Sequence, residues 1–261
     1  MLMAMLRGKL SREQENLEDI LTSNVFGALQ YTPGKAGVLR FLACASRHHD
    51  PAVRPLAELA GLTDAKVWLE FWPLWRHDEC TNCEPDVVVY VEASDGRKWV
   101  VVVEAKYRSP KSSEADLSSE RPTDQLAKQW DHLCTWACQS PATPALVYLT
   151  AGAGPPRDDM DASIAEYEEG PDRRPISDGL CWLSWRHLKS ALAKQNGIIE
   201  EHLLQLVDKL GLVFFEGIGP FKNTEDWEWS FEERRKSRHS SDAYAWVPFD
   251  GELRIDWRFD R

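Results

Sequence analysis

Two apolar segments joined by a short turn constrain the fold of this chain more than any other feature. Val87–Val91 leads into Asp95-Gly96, and Trp99–Val103 follows the turn. Runs of β-branched residues on either side of an Asp-Gly pair are typical of a β-hairpin with both strands buried. Asp86 immediately precedes the first of these strands. The sequence therefore places a carboxylate at the end of a buried hairpin, where charged groups are rarely found without a partner or a task.

The second strand carries two further charged residues, Glu104 and Lys106, just beyond its apolar run. The register of the hairpin decides whether they meet Asp86. If the turn had two residues, Asp86 would face Ala105 and point away from Glu104. A three-residue loop over Ser94–Gly96, with a glycine bulge, would place Asp86 directly opposite Glu104. If Asp86 and Glu104 form one site, we therefore expect the three-residue loop or a bulge elsewhere in the hairpin.

Two carboxylates beside an ammonium are the groups that a magnesium or manganese phosphodiesterase requires. Asp86 and Glu104 would ligate the cation, and the backbone carbonyl of Ala105 would add a third oxygen. Lys106 lies two residues after Glu104, so it shares the same face of the strand. Its ammonium could orient the attacking water or stabilise charge on the phosphate. The structural alternative is a salt bridge between these acids and Lys106 at a strand end.

The order of the remaining segments predicts an α/β domain with a mixed sheet flanked by helices. Strands are expected at Val67–Trp72, Ala145–Leu149 and Leu180–Trp185, beside the two of the hairpin. The polar stretch from Ser109 to Pro122 is expected to be a mobile loop. Helices are expected at Ser11–Tyr31, Ala36–Arg47, Val53–Leu59, Asp124–Cys138, Ala162–Glu168, His187–Lys194 and Ile198–Leu210.

Composition indicates a packed globular protein, because 43% of the 261 residues are hydrophobic and 12 are Trp. We expect one domain over residues 1–210 and a C-terminal extension over 211–261 packed on that core, with strands at 243–248 and 253–259. No apolar run approaches the roughly 20 residues that cross a bilayer. The first residues do not match a signal peptide. We therefore expect a cytoplasmic location and no membrane association. The cysteines are then expected to be mostly reduced.

Pro85-Asp86 followed by Glu104-Ala105-Lys106, placed on two apolar strands, resembles the PD-(D/E)XK nuclease superfamily. The resemblance covers roughly residues 10 to 190. It implies a restriction-endonuclease-like fold and Mg²⁺- or Mn²⁺-dependent hydrolysis of nucleic acid, with DNA rather than RNA as the expected substrate. Cleavage of both strands by one active site per chain would favour a homodimer.

The resemblance also implies two supporting residues. Members often add an acid from the first helix, where Glu13, Glu15 and Glu18 compete. Glu18 lies at the margin of the apolar stripe on a helical wheel and is the preferred candidate, although all three could be first-turn acids that favour the helix dipole. Members also carry a glutamine on the helix after the lysine strand, which Gln125 matches. One branch has a tyrosine four residues later, where this chain has Gln129.

The net charge of −11 opposes this interpretation, because nucleic-acid binders usually present a basic surface. A protein partner that supplies affinity, or a catalytically inactive interaction module on the same fold, is the alternative. The basic run at 232–239 could contact phosphates, and the aromatic residues before it could stack on bases, although a solvated loop is the simpler interpretation.

One other group of residues, a set of cysteines, has metal-ligand chemistry. Cys80 and Cys83 form a CxxC pair, which a zinc site could use if Cys134 and Cys138 completed it. The alternative is that the latter two are core residues of their helix. His48 and His49 are most simply interpreted as a helix-end feature.

Overall fold

The computed structural model describes residues 2–7, 18–78, 80–116, 118–119, 121–168, 174–193, 195 and 197–214. The chain divides into two compact units, Met1–Phe215 and Glu216–Arg261, and every described residue belongs to the first. Residues 215–261 of the C-terminal extension lie outside the described residues. They include the two predicted strands, the basic run at 232–239 and the aromatic residues before that run. Within the described part, no helix combines the length and the apolar character that a bilayer span needs.

A five-stranded mixed sheet forms the centre of the described unit. Its strands lie in sequence order and are β1 (Lys66–Phe71), β2 (Val87–Glu92), β3 (Lys98–Ala105), β4 (Thr143–Thr150) and β5 (Leu180–Ser184). The pairs β1–β2 and β2–β3 are antiparallel, whereas β3–β4 and β4–β5 are parallel. The prediction of an α/β domain with a mixed sheet flanked by helices is confirmed.

Seven α-helices accompany the strands in the described residues. They are α1 (Leu2–Leu6), α2 (Glu18–Leu29), α3 (Ala36–Leu42), α4 (Gln125–Gln139), α5 (Arg157–Glu168), α6 (His187–Leu192) and α7 (Ile198–Lys209). The parallel strand pairs require crossover connections, and α4 and α5 supply them.

The two faces of the sheet bury separate sets of side chains, because residues alternate along each strand. Val89 and Val103 face a core that includes residues of α2, α3, α6 and α7. Val88 and Val102 face a second core that includes Leu126 of α4 and residues of α5. Both strands of the hairpin are thus buried on both sides, which explains their nearly unbroken runs of valine.

The hairpin has the three-residue loop that was predicted from the requirement that Asp86 and Glu104 form one site. Glu92 pairs with Lys98 and Val87 with Val103, and the Ala93 N–H donates to the Arg97 carbonyl at 2.9 Å. Gly96 has φ +86°, a left-handed conformation that favours glycine. The predicted register is therefore confirmed, and it places Asp86 opposite Glu104.

Three predicted helices are wrong in extent or type. The helix predicted at Ala162–Glu168 begins five residues earlier, at Arg157. The second helix ends at Leu42 instead of Arg47, because Ser46 exchanges backbone hydrogen bonds with Trp182 of β5 at 2.9 and 2.7 Å. The interpretation of His48 and His49 as a helix-end feature is therefore wrong as well. The segment predicted as a helix at 53–59 is instead a 3₁₀ turn at Ala57–Gly61. Short stretches of this kind form single turns more readily than α-helices.

Candidate metal centre

Three carboxylates from separate elements converge at one end of the hairpin. Asp86 precedes β2, Glu104 lies near the end of β3, and Glu18 is the first described residue of α2. One oxygen from each lies within 4.8 Å of the others. The structure therefore brings together the two hairpin acids and the helix acid chosen from the sequence. The competing Glu13 and Glu15 lie outside the described residues.

Lys106 bridges two of these carboxylates. Its Nζ donates to Glu104 Oε1 at 2.6 Å and to Glu18 Oε1 at 3.1 Å, and its side chain is 9% exposed. Burial lowers the pKa of Lys106, but the attraction of Glu104 and Glu18 outweighs it and holds the pKa above its ordinary value. Lys106 is therefore a charged hydrogen-bond donor at neutral pH.

Asp86 is held by backbone groups on both sides. Its Oδ2 accepts the Ala105 N–H at 2.8 Å, and its carbonyl accepts the Trp72 N–H at 3.1 Å. β1 ends at Phe71, one residue before its predicted end, and Trp72 has φ +49°. Burial, together with the negative charge of Glu104, raises the pKa of Asp86 to about 7.

Glu104 is almost completely buried, with 1% of its surface exposed. Gln125 Nε2 donates to its Oε1 at 2.6 Å, and Gln129 Nε2 donates to its Oε2. Burial raises the pKa of Glu104 in spite of its contact with Lys106. Gln129 was not predicted to be a partner of the site. Its spacing of four from Gln125 on one helix face was the available signal.

Glu18 uses both of its oxygens. While Oε1 accepts from Lys106, Oε2 accepts the Tyr107 N–H at 2.9 Å and the Ser109 hydroxyl. The start of α2 is thereby attached to the residues that follow β3. Glu18 is thus a built-in member of the cluster, and it is not only a first-turn acid facing solvent.

The described residues of the loop before α4 form no helix or strand, and their side chains and backbone fix the position of Gln125. The Ser112 N–H donates to Gln125 Oε1 at 2.9 Å. The buried Lys111 contacts Asp124, which caps α4 by accepting the Leu126 N–H at 2.9 Å. These contacts fix the first turn of α4, and with it the amide that contacts Glu104.

The donor set fits a hard divalent cation on three observations. When ionised, three carboxylates and one ammonium leave two negative charges in a largely buried site, which a dication would neutralise. Asp86 Oδ1 accepts no hydrogen bond from the described residues, while its Oδ2 is occupied. Gln129 Oε1 is buried without a hydrogen-bond partner. A ligand role for the Ala105 carbonyl stays a prediction, since only its N–H contact with Asp86 is observed.

A cavity of about 240 Å³ opens beside the cluster. Lys106, Tyr107 and Ser109 line one part of it, and Tyr148 and Thr150 of β4 line another. Asp159 lines the cavity as well, so its walls carry hydroxyl groups, a lysine and a carboxylate and are suited to a polar group. A substrate in this cavity would lie in contact with Lys106.

The cysteines do not belong to either of the two convergent ligand clusters found among the described residues. Burial raises the pKa of the Cys83 thiol to about 12, so the thiolate form is disfavoured. The side chain of Cys138 lies outside the described part, so the four-cysteine site stays a prediction. The second cluster consists of His48, His49 and Asp161.

Comparison of the chain with family models finds none that matches, and comparisons with curated proteins and solved structures find no significant match either.

Proposed function

We propose that this chain is a divalent-metal-dependent nuclease that hydrolyses phosphodiester bonds, with DNA rather than RNA as substrate. The single observation that carries the proposal is the convergence of Glu18, Asp86 and Glu104 within 4.8 Å, with Lys106 bound to two of them. We extend the proposal to a restriction-endonuclease-like fold of the PD-(D/E)XK type. The mixed sheet, the hairpin register and the acid on α2 all support it.

The residues of the site have separable roles in this proposal. Glu18, Asp86 and Glu104 would hold Mg²⁺ or Mn²⁺, which when bound supplies Lewis-acid stabilisation of charge on the phosphate. Gln125 and Gln129 fix the orientation of Glu104 through its two oxygens. These amides act as positioning residues.

Lys106 is the proposed catalytic residue beside the scissile phosphate. Its ammonium donates hydrogen bonds to Glu104 and Glu18, and in the metal-free protein the attraction of these carboxylates holds its pKa above the ordinary value. It can orient the attacking water and stabilise the negative charge of the transition state. Its contact with the cavity of about 240 Å³ gives it access to substrate.

A surface of aromatic side chains supports nucleic acid as the substrate. Tyr90 of β2 stacks on Trp68 of β1 with ring centroids 4.9 Å apart, and Trp136 of α4 meets Tyr90 edge-on at 6.1 Å. Trp68 and Trp136 are 47% and 36% exposed. Tyr90 faces the same side of the sheet as Asp86, four residues or about 13 Å away along the strand. Exposed aromatic rings at this range can stack on unpaired bases of a bound strand.

The experiment that tests this function is cleavage of single-stranded and plasmid DNA with Mn²⁺, with EDTA as the metal-free control. Lys106→Met removes the ammonium while leaving the carboxylates, so we expect kcat to fall by about 10²–10³-fold. Mn²⁺ affinity should stay the same or increase, because Lys106 competes with the cation for Glu104 and Glu18. Lys98→Met, at the exposed start of the same strand, is the matched control.

The inactive interaction module remains the second candidate, because the net charge of −11 favours it. It predicts that the unaltered chain neither cuts DNA nor binds Mn²⁺ through Asp86. Equal cleavage by the parent and the Lys106→Met variant would show that this site does not perform the reaction.

A further inference from the structure

The second cluster of ligand atoms lies apart from the carboxylate site, between the segment after α3 and helix α5. His48 Nε2 lies 2.9 Å from Asp161 Oδ1, and His49 Nε2 lies 3.2 Å from the same oxygen. The two imidazole rings have centroids 3.7 Å apart. Two nitrogens from adjacent residues and one carboxylate oxygen thus converge on a common point.

The backbone that carries the histidines is fixed before any ligand binds. Ser46 pairs with Trp182 at the open edge of β5, and the Arg47 guanidinium donates to the carbonyls of Ser177 and Leu180. His48 itself is 4% exposed. Asp161 lies within the 12-residue helix α5, so all three ligands are held by ordered elements.

A simple hydrogen-bond interpretation explains only part of this arrangement. One carboxylate satisfies the buried His48, and no second histidine is needed for that. The side chain of His49 is 64% exposed, yet it turns back to the same oxygen and gives up its freedom in solvent. If both rings were protonated, their charges would repel each other at this separation.

We propose that His48, His49 and Asp161 form a second metal site, which takes a borderline transition-metal dication of the Zn²⁺ class. Imidazole nitrogens and a carboxylate are ligands for such ions, whereas the all-oxygen cluster suits Mg²⁺ or Mn²⁺. Ligand atoms about 2.0–2.1 Å from a tetrahedral zinc are separated by about 3.3 Å. The observed 2.9 and 3.2 Å are close to that edge length. Water would complete the coordination.

A metal at this position would join elements from the two layers that flank the sheet. The histidines follow α3, which packs on one face, and Asp161 belongs to α5, which packs on the other. The ion would also hold the segment that covers the free edge of β5. Its expected effect is therefore stabilisation of this edge.

The site is tested on the full chain carrying Asp86→Asn, so that the carboxylate cluster does not contribute to the signal. Co²⁺ serves as the spectroscopic probe, and Zn²⁺ is titrated by calorimetry and by thermal unfolding. We expect one bound ion, the visible absorption of low-coordinate Co²⁺ and a rise in Tm with Zn²⁺. Adding His49→Ala should weaken affinity at least about tenfold and abolish the Tm shift. His202→Ala is the matched control and should change neither.

Unchanged Zn²⁺ affinity in the His49→Ala protein would overturn the proposal, and so would the absence of binding by the Asp86→Asn chain itself. Because His49 is exposed, its removal is not expected to unfold the protein, and circular dichroism checks this. The measurement uses no nucleic acid, so its outcome is independent of whether the chain is a nuclease.

Discussion

Asp86 links the proposed cation site to the stability of the fold. Its pKa rises from 3.8 to about 7 on folding, so the folded protein holds a proton that the unfolded chain releases. Stability without metal should therefore decrease as pH rises from about 4 to 7, by up to about 1.4 kcal/mol per pH unit. Asp86→Asn removes this loss, and we expect the variant to be more stable than the parent at pH 8. Urea unfolding at pH 5 and pH 8 measures both effects.

Saturating Mg²⁺ at pH 8 should reverse the order of stability, so that the parent becomes more stable than the Asp86→Asn variant. The cation compensates the carboxylates of the parent and raises its unfolding free energy, whereas the Asn variant gains little. Asp95→Asn is the control, because the pKa of the exposed Asp95 is lowered by its hydrogen bonds to Arg97 and the pH trend has the opposite sign. A parent whose stability is the same with and without Mg²⁺ would contradict the proposed cation site.

At the scale of elements, the loop of the β2–β3 hairpin determines whether the site exists. Gly96 adopts φ +86°, and a Cβ placed there would meet no atom within 4 Å. Gly96→Ala should therefore cost only the strain of a left-handed residue, about 1 kcal/mol, with metal affinity unchanged. Deleting Ser94 shortens the loop to two residues and turns Asp86 away from Glu104. Calorimetric titration with Mn²⁺ should then detect no binding in a protein that still unfolds cooperatively.

Loss of affinity in Gly96→Ala, or normal affinity after the deletion, would show that loop length does not control the register.

The hairpin also shows what could be deduced from sequence. Strand periodicity and residue counting reduced the hairpin to two registers, because both are local properties. The requirement that Asp86 and Glu104 form one site then selected the three-residue loop, which the structure has. The end of α3 at Leu42 was not predictable in this way, since it depends on pairing between Ser46 and Trp182, which are distant in sequence.

At the scale of the whole molecule, the difference between local properties and long-range packing also separates the site residues that were predicted from those that were not. The resemblance implied an acid on the first helix, and Glu18 was preferred among three candidates because its place at the edge of an apolar stripe is a property of one helix. Gln129 was missed because its role depends on how α4 packs against β3, and its buried position resembles that of a core residue. The layered architecture followed from the order of elements, whereas the contact of Glu104 with two amides required coordinates.

With a net charge of −11, the proposed cation site would be the decisive attraction for a phosphate backbone. A molecule with this charge repels nucleic acid unless the repulsion is cancelled locally.

Loading the proposed site with Ca²⁺, which suits the same oxygen ligands, should allow binding to be measured without relying on cleavage. We expect a labelled single strand to bind at least about tenfold more tightly with Ca²⁺ than with EDTA, or about 1.4 kcal/mol. Fluorescence anisotropy measures this difference, and Asp86→Asn should abolish it while Asp95→Asn retains it. Tight binding in EDTA would mean that a basic surface, and not the ion, supplies the affinity. The run at 232–239 would then be the first segment to neutralise.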